Sequence, residues 1–74
     1  NPVKENAIIS IELPSDSEAL MTIVDITGKI VFTQISQLYK GKNTITFNAK
    51  NLKGLYLIKI STADGMSTKR LLVE

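Results

Sequence analysis

Few residues in this chain have types and spacing suited to chemistry. Asp25, Gly28 and Lys29 interrupt its strongest hydrophobic stretch, IVDITGKIVF at 23–32, and set a carboxylate, a glycine and a cation between two apolar runs. Three readings compete for such a set: a catalytic acid, part of a phosphate loop, or a reversal of the chain. Glu12, Asp16 and Glu18 make a second acidic group. Paired carboxylates are the usual machinery of glycoside hydrolysis, and oxygens gathered from such residues can hold calcium. Their spacing does not match a calcium loop, however, and Asp16 and Glu18 read better as a solvated turn.

Nothing else in the sequence cooperates with these acids. The chain has no histidine and no cysteine. That removes imidazole acid–base chemistry and His ligation, and it removes thiol nucleophiles and thiolate zinc sites. No Gly-x-Ser-x-Gly elbow occurs. The glycines at 28, 41, 54 and 65 each stand alone, so there is no glycine-rich phosphate loop. Asp25-x-x-Gly28 is therefore read as a tight connection. Asp25 is expected to accept hydrogen bonds from backbone N–H groups two and three residues on. Gly28 supplies a positive φ without a Cβ penalty, and Lys29 begins the returning strand. Asn51-Leu52-Lys53-Gly54 follows the same logic, with Leu52 capping one end of a core. Tyr56 reads as a buried anchor whose hydroxyl needs a partner, with ligand stacking as the lesser alternative. No catalytic residue, metal or cofactor is expected.

The elements that would position these residues are strands. Residues 7–13 put Ile9, Ile11 and Leu13 on one face and Ser10 and Glu12 on the other, the period-2 pattern of a half-buried strand. Pro14 to Ser17 breaks it. Further runs follow at 19–26 and 29–35, a turn at Tyr39–Asn43, and an alternating run at 44–48 with Ile45 and Phe47 inward. In the strand at 55–62, Tyr56, Ile58 and Ile60 share one face and Leu55, Leu57 and Lys59 the other. Its start therefore reads as central and its end as half-exposed. Asp64-Gly65 is a hairpin signal, and 67–73 is the last strand. Helical spacing is absent. Six to seven short strands with regular turns predict an all-β chain, an Ig-like antiparallel sandwich.

The totals agree. At 74 residues the chain makes one small domain, 43% hydrophobic and 22% charged, which is globular composition. A domain of this size buries only about 60% of the surface its unfolded chain exposes. Nine basic and seven acidic residues give a net charge of +2, with the bases scattered. That is a solvated surface rather than a nucleic-acid face. No apolar run reaches the roughly 20 residues of a membrane span, and no signal peptide is visible. The abrupt start at Asn1-Pro2 suggests the C-terminal piece of a larger secreted protein.

Five motifs in order carry a resemblance. They are Asn1-Pro2-Val3, Val24-Asp25-Ile26-Thr27-Gly28-Lys29-Ile30-Val31, Gly41-x-Asn43-x-Ile45, Leu52-x-Gly54-x-Tyr56-x-Ile58 and Lys69-x-Leu71-x-Val73. Spread over the whole chain, this set resembles the C-terminal sorting domain of type IX secretion cargo in Bacteroidetes. The family usually begins Pro-Asn-Pro, and the first proline is missing here. The resemblance implies an Ig-like sandwich with no catalysis of its own, a signal that directs an attached cargo across the outer membrane of a Gram-negative cell. It implies passage through the periplasm to the cell surface or medium. It also implies three partners: an outer-membrane translocon, a shuttle protein, and a sortase that typically removes the domain. The matching residues are Asp25, Gly28 and Lys29, then Leu52, Gly54 and Tyr56, then Lys69, Leu71 and Val73.

Within that frame the last strand is the expected recognition element, through Lys69, Arg70, Leu71, Leu72 and Val73. A terminal strand at a sheet edge can be read by strand addition, so deleting 70–74 is expected to abolish export of a reporter. The same edge could pair weakly with a second copy. Lys29 stays open between a surface charge and a contact with the machinery. The rival reading is an Ig- or fibronectin-like accessory module binding carbohydrate or serving adhesion. Such modules present exposed aromatic arrays, whereas this chain has only Phe32, Tyr39, Phe47 and Tyr56.

Overall fold

The computed structural model describes residues 2, 3 and 6–74, with side chains from Asn6 onward. Asn1 of the first motif therefore lies outside the described residues. The elements are β1 (Pro2–Val3), β2 (Asn6–Leu13), β3 (Ser17–Asp25), β4 (Ile30–Leu38), β5 (Gly41–Asn48), β6 (Gly54–Thr62) and β7 (Gly65–Val73). No helix occurs among the described residues. One sheet has the order β1-β7-β6-β3-β4, and β2 pairs with β5 in a second sheet. Every pairing is antiparallel except the two-residue β1, which lies parallel to β7. The predicted antiparallel sandwich is thus what forms, divided into sheets of five and two strands.

Alternation decides which side chains meet between the sheets. Ala7, Ile9 and Leu13 of β2 and Ile45 and Phe47 of β5 are buried. They face Ala19, Met21 and Ile23 of β3, Tyr56, Ile58 and Ile60 of β6, and Leu71 and Val73 of β7, in one core cluster. Phe32 and Phe47 stack across the gap with ring centroids 5.8 Å apart. Leu52 packs against the same cluster. The β2–β3, β4–β5 and β5–β6 connections cross between sheets, while β3–β4 and β6–β7 are hairpins within one sheet.

Two expectations are corrected. The turn at 25–29 uses Lys29 as a connecting residue, and the returning strand begins at Ile30. That strand carries a bulge: Ile23 pairs with Phe32 and Val24 with Ile30, leaving Val31 over. The strand at 54–62 is central along its whole length, between β3 and β7. Yet nothing covers its outer face, and Leu55 and Leu57 are 47% and 38% exposed. Continuous hydrophobicity in a strand signals cover on both faces only when a second layer exists there.

Candidate recognition surface

Two turns hold the residues of the central motifs. At the β3–β4 turn a single Asp25 oxygen, Oδ1, accepts hydrogen bonds from Thr27 N (2.9 Å), Thr27 Oγ1 (2.6 Å) and Lys29 N (3.0 Å). The acceptor relation is therefore two and four residues on, not two and three. Gly28 N instead donates to the Asp25 carbonyl at 3.0 Å, and Asp25 N donates to the Lys29 carbonyl at 2.9 Å. Gly28 sits at φ 89°, in the left-handed region that favours glycine. The Thr27 hydroxyl is the main cause holding the Asp25 carboxyl below the usual carboxylate value. Desolvation opposes it, and the N–H groups of Lys29 and Thr27 and the Lys29 charge reinforce it. Through Oδ1 this carboxylate shapes the turn, and Lys29 is exposed.

At the β5–β6 turn Tyr56 does the equivalent work from within the core. Its hydroxyl donates to the Lys53 carbonyl and accepts from Lys53 N, both at 2.9 Å. The partner that the sequence left unnamed is thus the turn's own backbone. Leu52 N donates to the Ala49 carbonyl at 3.0 Å, and Gly54 has φ 102°. Both motifs specify shape.

Two further residues organise connections without having been assigned that role. Asp16 Oδ1 accepts from Lys40 N at 2.8 Å, tying the β2–β3 loop to the β4–β5 crossover. Asn43 closes the same crossover, accepting from Tyr39 N at 3.0 Å and donating to the Tyr39 carbonyl at 2.7 Å. The signal for Asn43 was its place in the third motif, where an amide two residues after Gly41 can span a turn. Among the described residues no group of three His, Cys, Asp or Glu side chains converges. A concavity of about 530 Å³ is a trough on the two-stranded sheet, where Glu12 and Lys42 stand at opposed register positions.

The last strand divides its five residues. Leu71 and Val73 point inward and are 6% and 2% exposed. Arg70 and Leu72 point outward, on the face away from β2 and β5. Lys69 lies in register with Ile58, so it starts on the inner face at the open side of the sandwich. From there its Nζ donates to the Ser10 carbonyl at 2.9 Å, linking the edges of the two sheets.

The backbone of β7 is only partly paired on its outer side. Thr62 faces Gly65 across a two-residue connection, which makes them a hydrogen-bonded pair. Alternation then turns the N–H and C=O groups of Met66, Thr68, Arg70 and Leu72 away from β6. At Leu72 they meet β1, since Pro2 pairs with Leu72 and Val3 with Val73. From Met66 to Arg70 no described strand lies alongside.

A family model described as "Secretion system C-terminal sorting domain" matches residues 1–74, the whole chain. No curated protein and no solved structure matches it.

Proposed function

The chain belongs to the type IX secretion-system C-terminal sorting domain family, and from that premise we propose that it acts as a non-catalytic export signal read at the β7 edge. The observation that carries the reading is the family match over all 74 residues. The fold supports the place: Met66, Thr68 and Arg70 offer backbone donors and acceptors in the sheet plane, beside the side chains of the last motif. A partner strand added there gains main-chain hydrogen bonds, and alternate side chains supply selectivity. The partners are an outer-membrane translocon, a shuttle protein and a sortase that removes the domain. The attached cargo ends at the cell surface or in the medium.

Leu71 and Val73 support the fold, while Lys69, Arg70 and Leu72 are the members of the terminal set within reach of a partner. Deleting 70–74 therefore removes core along with signal. Thr68→Pro is the cleaner test, because it deletes one outward N–H on an edge strand, where proline is tolerated. A reporter fused to the wild-type domain is expected in the medium or on the surface of a type IX-competent cell. The Thr68→Pro fusion is expected to stay inside with an unchanged melting temperature. Normal export of the proline variant would defeat the edge reading. The carbohydrate-module alternative lacks a platform: Phe47 and Tyr56 are buried, Phe32 is half-buried against Phe47, and Tyr39 alone is widely exposed.

A further inference from the structure

The edge strands of the sandwich are not guarded alike. β2 carries Glu12, β5 carries Lys42, and β7 carries Lys69 and Arg70, charges of the kind that blunt an edge. β4 ends the five-stranded sheet on the side away from β1 and β7, and no described strand lies beyond it. It holds no charged residue, no proline and no glycine. Its one irregularity, the bulge at Val31, lies near its start and leaves Phe32–Leu38 in regular register with β3. An uncharged edge of this length is a template for another strand. The groups it offers follow from the hairpin. Asp25 N donates to the Lys29 carbonyl, so the backbone groups of Asp25 face β4. Alternation turns those of Ile23, Met21, Ala19 and Ser17 the same way. Their partners, Phe32, Gln34, Ser36 and Leu38, are thus bonded to β3. The N–H and C=O groups of Thr33, Ile35 and Gln37 point out of the edge.

We infer that this edge pairs antiparallel with the same edge of a second copy of the chain, about a two-fold axis at Ile35, joining the two larger sheets into one. The argument is that the strand is its own complement. Phe32-Thr33-Gln34-Ile35-Ser36-Gln37-Leu38 reads apolar, polar, polar, apolar, polar, polar, apolar from either end. Turned about Ile35, Thr33 stands opposite Gln37 of the second copy, and Ile35 opposite Ile35 of the second copy. These are all pairs of outward groups, and each exchanges two N–H···O=C bonds. On the core side Phe32 meets Leu38 of the second copy. Gln34 meets Ser36 of the second copy, the amide–hydroxyl combination that already bonds within the strand at 3.2 Å. On the outer side Ile35, 67% exposed, is covered at the axis by its own equivalent. Other registers fail. Moving the axis by half a residue sets the outward groups against groups already bonded to β3. Moving it to Gln34 or to Ser36 sets Phe32 against Ser36, or Gln34 against Leu38. The nearest cations, Lys29 and Lys40, lie beyond the paired run, and two-fold pairing is the commonest closed symmetry.

A seam one strand wide is smaller than the ~1,200 Å² at which standard interfaces begin, so the association is weak. β4 and β7 lie on opposite sides of the larger sheet. The pairing therefore leaves the Met66–Arg70 edge untouched and stands or falls independently of the export reading.

Sedimentation equilibrium and amide hydrogen exchange of the 74-residue chain, from about 10 µM to 2 mM, test it. Expected is a monomer–dimer equilibrium in which rising concentration slows exchange at Thr33, Ile35 and Gln37 but not at Met66, Thr68 and Arg70. Ile35→Lys sets like charges opposite each other and should raise the dissociation constant at least ~5-fold, as should Ile35→Glu. An equimolar mixture of those two variants should recover the pairing, because a lysine then faces a glutamate. Each is checked for an intact fold by far-UV circular dichroism. Met66→Lys, across the sheet, should not change the dissociation constant. A chain that stays monomeric at 2 mM would overturn the inference. So would a dimer unweakened by both Ile35 variants, or one whose protection falls on Met66, Thr68 and Arg70 instead.

Discussion

Asp25 gathers three hydrogen bonds on one carboxylate oxygen, and this fixes the sign of its pH dependence. Its folded-state value lies below the ordinary one. The stability it contributes is therefore present above about pH 4 and is lost as the pH falls through the lowered value. An Asp25→Asn variant should be less stable than the parent at pH 7, and the gap should close towards pH 2 in urea titrations. Tyr56→Phe strands both the N–H and the C=O of Lys53 and should cost about 1–3 kcal/mol, read from the urea midpoint at constant slope. Gly54→Ala meets open space, with nothing within 4 Å of an added Cβ. Its expected cost of about 1–2 kcal/mol comes from the left-handed backbone alone. The roles of Asp25, Gly28, Gly54 and Tyr56 were legible because turn chemistry is local in sequence. The Asp16–Lys40 bond spans 24 positions, and no local pattern announces it.

At the scale of elements, inward-facing residues could be read wherever polar and apolar residues alternate, as in β2 and β5. β6 was harder. Leu55, Tyr56, Leu57 and Ile58 run apolar on both faces, and sequence cannot say whether a second layer covers the outer one. The edge of β7 was also only half legible. Its terminal position suggested a free edge, but β1 pairs with Leu72 and Val73, so among the described residues only Met66–Arg70 has no strand alongside. Lys69 illustrates the difference between a motif residue and its contact: the lysine was visible, its reach to the Ser10 carbonyl was not. Lys69→Met keeps the aliphatic stem and loses that bond. It should lower stability by no more than about 1 kcal/mol, since the contact is exposed, with the change measured by thermal unfolding.

The whole molecule rests on one core shared by two unequal sheets, with no cysteine to reinforce it. Ile58, 1% exposed at the centre of the larger sheet, should cost about 2–5 kcal/mol on truncation to alanine. That is a large share of the stability available to a domain of this length. An Ile58→Ala fusion should therefore fail in export through unfolding, whereas an edge variant should fail while folded. This separation makes reporter export by the Thr68→Pro fusion, measured beside its melting temperature, the most direct test of the account. The predicted result is retention of the reporter inside the cell with the parent's melting temperature. Export equal to the parent's, from an equally stable variant, would contradict it.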